Sequence, residues 1–155
     1  MEVSAWPITM FRLGGIGIFP QNAAKMDQSI LLPNRQLVLW PYTNIQDPRM
    51  VLANDFILLN AIPASQPLKV GYNNSHGWMG YFLDGIFFIK SFSTRIDKKY
   101  PDYGANCEFY CNNQVFELET LSPLSHLNCG DEIIHTETLQ VSRDRPIQSR
   151  FERAL

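Results

Sequence analysis

Charge is scarce in this 155-residue chain. Asp, Glu, Lys and Arg make up 18% of it, against about 25% in typical soluble domains. The 13 basic residues do not outnumber the 15 acidic ones, and the net charge is −2. With a pI near 5.9, the chain lacks the electrostatic footprint of a nucleic-acid binder, and no nucleic acid is expected as partner. No apolar run approaches the roughly 18 residues that span a bilayer, so no membrane partner is expected either. Met1-Glu2-Val3-Ser4 has neither the basic nor the apolar region of a secretory signal, which points to the cytoplasm. Cysteine is sparse too: Cys107, Cys111 and Cys129 come without a Cys-x-x-Cys or a paired histidine. No metal and no cofactor is expected from them. On one strand Cys107 and Cys111 would stand about 13 Å apart, beyond disulfide reach. They read as small buried thiols in a reducing compartment.

Helical periodicity is also missing, whereas strand and turn signals recur from end to end. Trp6–Leu13, Gln36–Trp40, Asp55–Asn60, Leu68–Tyr72, Asn106–Cys111, Gln114–Leu121 and Glu132–Val141 each read as strands. After Gly14-Gly15, the run Gly15-Ile16-Gly17-Ile18-Phe19-Pro20 continues as strand or turn and no helix follows the glycines, so they read as a tight β-turn and not a phosphate loop. Met79–Leu83 and Ile86–Lys90 flank Asp84-Gly85, the dipeptide of a type I′ hairpin. Both arms are apolar on both faces, which places this hairpin centrally in a covered sheet. The expected fold is all-β, an antiparallel β-sandwich in a single domain over residues 1–141. Residues 142–155, with four arginines and no apolar period, form a polar tail expected to fray or to add a short surface helix.

Two stretches carry candidate chemistry. Phe116-Glu117-Leu118-Glu119 alternates, so Glu117 and Glu119 share one strand face about 7 Å apart, toward water, a ligand or a basic partner. Trp40-Pro41-Tyr42 through Asp47-Pro48-Arg49 is stiffened by its prolines. Its Trp40, Tyr42, Asp47 and Arg49 could bind a sugar by ring stacking and paired hydrogen bonds. They could equally be a core tryptophan and a local Asp47–Arg49 ion pair.

Phe116-Glu117-Leu118-Glu119-Thr120-Leu121 resembles the C-L-E-T-Q strand of aldose 1-epimerases, the galactose mutarotases. Gly130-Asp131-Glu132-Ile133-Ile134-His135-Thr136 is similar to their terminal G-E-x-x-x-H-T-T strand. From Asn34-Arg35 to Arg49, and from Tyr100-Pro101-Asp102-Tyr103-Gly104 to Leu121, the chain resembles a bacterial domain family of unknown function on the same supersandwich. The resemblance implies a galactose mutarotase-like sandwich of which this chain is one half, the C-terminal one. Exposed sheet edges would then favour a homodimer.

It also implies a hexose-like carbohydrate ligand, held by Trp40, Asp47, Arg49, Lys90 and Glu117. In the epimerases the matching glutamate, Glu119 here, is the general base, and a histidine protonates the ring oxygen. No histidine precedes His76, which leaves Tyr42 as the candidate acid. His135 matches a terminal-strand histidine and reads as structural. Three functions follow as expectations: a carbohydrate-binding protein, an aldose 1-epimerase-type isomerase, or a truncated, non-catalytic structural domain.

Overall fold

The computed structural model describes residues 1–22 and 32–143. The expectations for residues 144–155, and for most of the 21–34 loop, lie outside the described residues. Nearly all of the regular secondary structure in the described residues is strand. The first strands are β1 (Glu2–Val3), β2 (Ile8–Phe11), β3 (Ile16–Pro20), β4 (Leu37–Leu39) and β5 (Met50–Leu52). Next come β6 (Phe56–Asn60), β7 (Leu68–Tyr72), β8 (Trp78–Leu83) and β9 (Ile86–Phe92). A 3-10 turn, Asp102–Gly104, precedes β10 (Cys107–Cys111), β11 (Phe116–Thr120), β12 (Ser125–His126) and β13 (Glu137–Ser142).

The strands form a five-stranded sheet, β2-β11-β10-β7-β4, and a six-stranded sheet, β13-β9-β8-β3-β6-β5, with a small β1-β12 ribbon at the side. All pairings are antiparallel. The two large sheets face each other as a β-sandwich, as the alternation predicts. Side chains of alternate residues fill the space between them. Leu68, Val70 and Tyr72 meet Cys107, Phe109, Phe116 and Leu118 from the five-stranded sheet, and Phe19, Leu59, Met79 and Tyr81 come from the other. Phe19 stacks on Phe109 at 3.9 Å between ring centres, and Phe11 meets Phe88 edge-on at 4.9 Å. Such offset and edge contacts add about 0.5–1.5 kcal/mol each beyond the area they bury.

The Asp84-Gly85 turn has φ of 50° and 75°, the two positive values a type I′ turn needs. β8 lies inside its sheet, and a second apolar cluster of Ile18, Leu58 and Phe87 forms on that sheet's outer surface. Both faces are therefore apolar, as the two-sided sequence of the hairpin requires. Several strands differ from the sequence reading: Ile16–Pro20, open between strand and turn, is strand β3, and β2 covers only Ile8–Phe11 of Trp6–Leu13. Trp40 lies just beyond β4, because Pro41 turns the chain and Thr43 N donates to Trp40 O at 2.8 Å. β13 starts at Glu137 and not at residue 132, since Glu137 already pairs with Phe92, the last residue of β9. Cys107 and Cys111 are buried free thiols, while Cys129 is exposed.

Candidate functional site

The inward positions of the five-stranded sheet are apolar, which sends the opposite parity outward. Register then brings distant residues together. Glu119 on β11 lies across from Ile8 on β2 and Glu108 on β10, and Glu108 lies across from Gly71 on β7. In the next row Glu117 faces Met10 and Tyr110, and Tyr110 faces Lys69. Each of these strands carries few charges, and the pleat sends them all to one side.

Lys69 is the centre of this face. Its Nζ donates to Glu119 Oε2 at 2.8 Å. It also contacts Glu108 Oε2 at 2.8 Å, as an ion pair turned off hydrogen-bond geometry. Two indoles flank the ammonium, with the ring centre of Trp6 at 4.6 Å and that of Trp40 at 4.8 Å. Both distances lie within cation–π range. Trp6 Nε1 also donates to Glu119 Oε2 at 2.7 Å.

The tryptophans owe their positions to local structure. Trp6 sits in an irregular continuation of the β2–β11 pairing, where Ala5 and Ser122 exchange bonds: Ser122 N donates to Ala5 O and Ala5 N to Ser122 Oγ, both at 2.9 Å. Trp40 is brought over the sheet by the 40–43 turn. That turn is stitched to β7, with Thr43 Oγ1 donating to Lys69 O at 2.7 Å and accepting from Lys69 N at 3.0 Å. Gly71 lies under the indole and close against Ala105. A Cβ there would stand 3.4 Å from Trp40 Cζ3 and 3.0 Å from Ala105 Cβ.

Burial sets the electrostatics. Glu119 and Glu108 are 0% and 1% exposed, and the Oε1 atom of each has no hydrogen-bond partner among the described residues. Burial pushes the Glu108 carboxyl up to about 7, because Lys69 offsets only part of the lost hydration while the Glu119 charge, and the hydrogen bond that a protonated Glu108 makes to the Asp102 side chain, favour the protonated form. Asp102 is held there by a backbone in the left-handed region, with φ of 47° at Asp102 and 57° at Tyr103. Burial pulls the Lys69 ammonium down, but the two glutamates outweigh it and leave its pKa raised. Burial also raises the half-buried Glu117, and Glu119 adds to the rise. The Tyr42 hydroxyl lies in the field of Lys69, Tyr110, Glu119 and Glu108, and burial raises it.

Of the residues singled out in the sequence, Glu119, Glu117, Trp40 and Tyr42 thus meet on one face. Asp47 and Arg49 are elsewhere, buried and engaged with each other. Arg49 Nη2 donates to Asp47 Oδ2 at 2.8 Å and Nε to Oδ1 at 3.0 Å, while Nη2 also reaches Gln66 O at 2.9 Å. Arg49 Nη1 points to Cys111 Sγ, inside the sandwich end. This is the local ion pair that the Asp-Pro-Arg spacing allows. Lys90 lies between the two sheets, where its Nζ donates to Leu118 O and Thr9 Oγ1, each at 3.1 Å, and pairs with Glu137 Oε1 at 2.8 Å. His135 is tied to the Thr120 side chain, which also bonds Glu137.

Sequence reasoning missed Lys69, Glu108 and Trp6. The available signal was a single charge at an outward position of Leu68-Lys69-Val70 and of Cys107-Glu108-Phe109. Among the described residues, no group of His, Cys, Asp and Glu side chains is arranged to hold a metal ion. Nor, among the described residues, is any helix long and apolar enough to cross a membrane. No family model matches the chain, and neither a curated protein nor a solved structure matches it.

Proposed function

We propose that the outer face of the five-stranded sheet binds carbohydrate, with Trp6, Trp40 and Tyr42 as stacking surfaces and Glu108, Glu117 and Glu119 as hydroxyl acceptors. The observation that carries this reading is the pair of buried glutamates with unpartnered Oε1 atoms beside two tryptophans. A buried polar atom left without a partner costs about 1–3 kcal/mol, and a ligand hydroxyl is a donor that would remove that cost. Aromatic faces supply the apolar half of such a site and fix its orientation.

The test is a tryptophan-fluorescence titration with neutral hexoses and oligosaccharides, run on the native chain and on Trp6→Phe and Trp40→Phe. Saturable quenching that shrinks in the two variants supports the face as the site. A panel without any saturation removes the reading.

One observation favours a second reading, an aldose 1-epimerase-type isomerase. Two carboxyl groups at one lysine, one of them pushed up to about 7, have the separation of roles that acid–base catalysis uses. Glu119 would take the anomeric hydroxyl proton and Glu108 would give one to the ring oxygen. Binding remains the better-supported reading, because Glu119 Oε2 is already occupied by Trp6 and Lys69. Equilibration of freshly dissolved α-glucose or α-galactose at the uncatalysed rate would eliminate the isomerase.

A further inference from the structure

We propose that β13 is a dimer edge: a second copy of this chain adds its own β13, antiparallel, and joins the two six-stranded sheets into one. The inference is independent of the carbohydrate reading and concerns the other sheet of the sandwich.

The outer strands of the two large sheets are β2, β4, β5 and β13. Edges of native sheets are kept from pairing by shortness, proline, lysine or a bulge. β2 has four residues and follows Pro7 directly. β4 and β5 have three each, with Pro41 two residues after β4 and Pro48 two residues before β5. β13 has none of these protections. Its six residues pair one for one with Phe92 to Phe87 of β9, without a bulge, and include neither proline nor lysine. Its far side pairs with no described strand. Leu139 and Val141 share the parity of the core-facing Phe88, yet they are 56% and 65% exposed.

The sequence of β13 says what fits beside it. A two-fold axis through Gln140 gives an isologous pair in which each face of the sheet runs on unbroken. In that register Leu139 stands opposite Val141 of the second copy, and Thr138 opposite Ser142, each pair occurring twice. Gln140 meets Gln140, and Glu137 meets Arg143, opposite charges at both ends of the pairing. Apolar, hydroxyl and opposite-charge pairs are the ones that stabilise neighbouring strands. A slip of one residue would set core-side Leu139 against outer-side Gln140 and mismatch the faces. A slip of two would set Glu137 against Val141, or Arg143 against Leu139. A foreign strand would have to match this pattern by chance, whereas a second copy matches it by symmetry.

Sedimentation equilibrium of the native chain should approach twice the 17.8 kDa monomer mass at about 100 µM, since so small an interface gives a weak dimer. Val141→Lys, a lysine at an exposed edge position, should raise the dissociation constant about tenfold or more and leave urea unfolding of the dilute chain unchanged. Arg143→Glu, which sets a carboxylate opposite Glu137, should weaken the dimer as well. Disulfide trapping reads the register, in a Cys129→Ser background because Cys129 is exposed. Gln140→Cys should cross-link to its own copy on mild oxidation, because opposed residues stand about 4.5–5.5 Å apart at Cα, within disulfide reach. Leu139→Cys should not, since its counterpart in the second copy lies on the longer diagonal. A monomer at that concentration overturns the inference. So does a dimer that both Val141→Lys and Arg143→Glu leave intact, or equal cross-linking by the two cysteine variants.

Discussion

Among the described residues two lysines, Lys69 and Lys90, are buried, both paired with glutamate, and they differ in what surrounds the pair. Lys90 is 0% exposed between the sheets, and backbone carbonyls, the Thr9 hydroxyl and Glu137 saturate it. Burial lowers its pKa, with Glu137 opposing. Lys69 lies on the outer face with two glutamates and two indoles, and its pKa is raised. One lysine has a single carboxylate and a full set of acceptors. The other has a surplus of carboxylate with oxygens to spare. The first arrangement closes a seam between sheets and the second leaves capacity for something else, so burial of a charge does not by itself mark a structural residue.

The sharpest way to break the comparison is to remove Lys90. Lys90→Met leaves Glu137 without its cation and strips donors from Pro7 O and Leu118 O inside the seam. Breaking a buried pair from one side costs about 3–5 kcal/mol. Urea unfolding should show that loss at neutral pH, and a loss below 1 kcal/mol would make Lys90 no more structural than Lys69.

The second prediction sharpens the other half through pH. The Glu108 carboxyl is raised in the folded chain from the ordinary 4.5 to about 7. Below 4.5 it is protonated whether folded or unfolded, and no penalty exists. Between 4.5 and 7 the unfolded chain releases this proton and the folded chain keeps it, so stability falls as pH rises. Above 7 the full penalty, at most about 3 kcal/mol, is present and constant. Unfolding free energies of the native chain and Glu108→Gln from pH 4.5 to 8 should diverge across that window, the variant keeping the flatter profile. Parallel profiles would show that Lys69 neutralises Glu108 fully and that the face holds no surplus charge.

How much of this was legible in the sequence differs between the two lysines as well. Alternation and turn chemistry act locally, so Asp84-Gly85, the β10 and β11 strands and the shared face of Glu117 and Glu119 could all be read directly. The Asp47–Arg49 pair is equally local, spanning two residues, and stood as one of two readings of that loop. Lys69, Glu108 and Trp6 reach Glu119 across 50, 11 and 113 positions of chain, with the register of four strands deciding who meets whom. Register follows from packing the whole core, and no stretch of sequence states it. Lys90 shows the converse. It looked like a ligand-facing charge at the end of an apolar strand, but its parity with Phe88 and Phe92 turns it inward.

The smallest predicted effect tests the cover of the Lys69 face. Trp6→Phe keeps an aromatic face beside the ammonium and deletes the N–H that donates to Glu119. A hydrogen bond to a charged group contributes about 1.5–3 kcal/mol when buried. Trp6 is half in solvent, where water can replace its donor, so the expected loss is about 1 kcal/mol by urea unfolding. The same half-exposure means the ring can shift without dismantling the sheet beneath it. Lys90 has no such freedom, since every partner it holds belongs to a strand or to the chain leading into one. If Trp6→Phe costs as much as Lys90→Met, Trp6 is a structural lock, and the outer-face glutamates belong with Glu137 as sealed ion-pair partners.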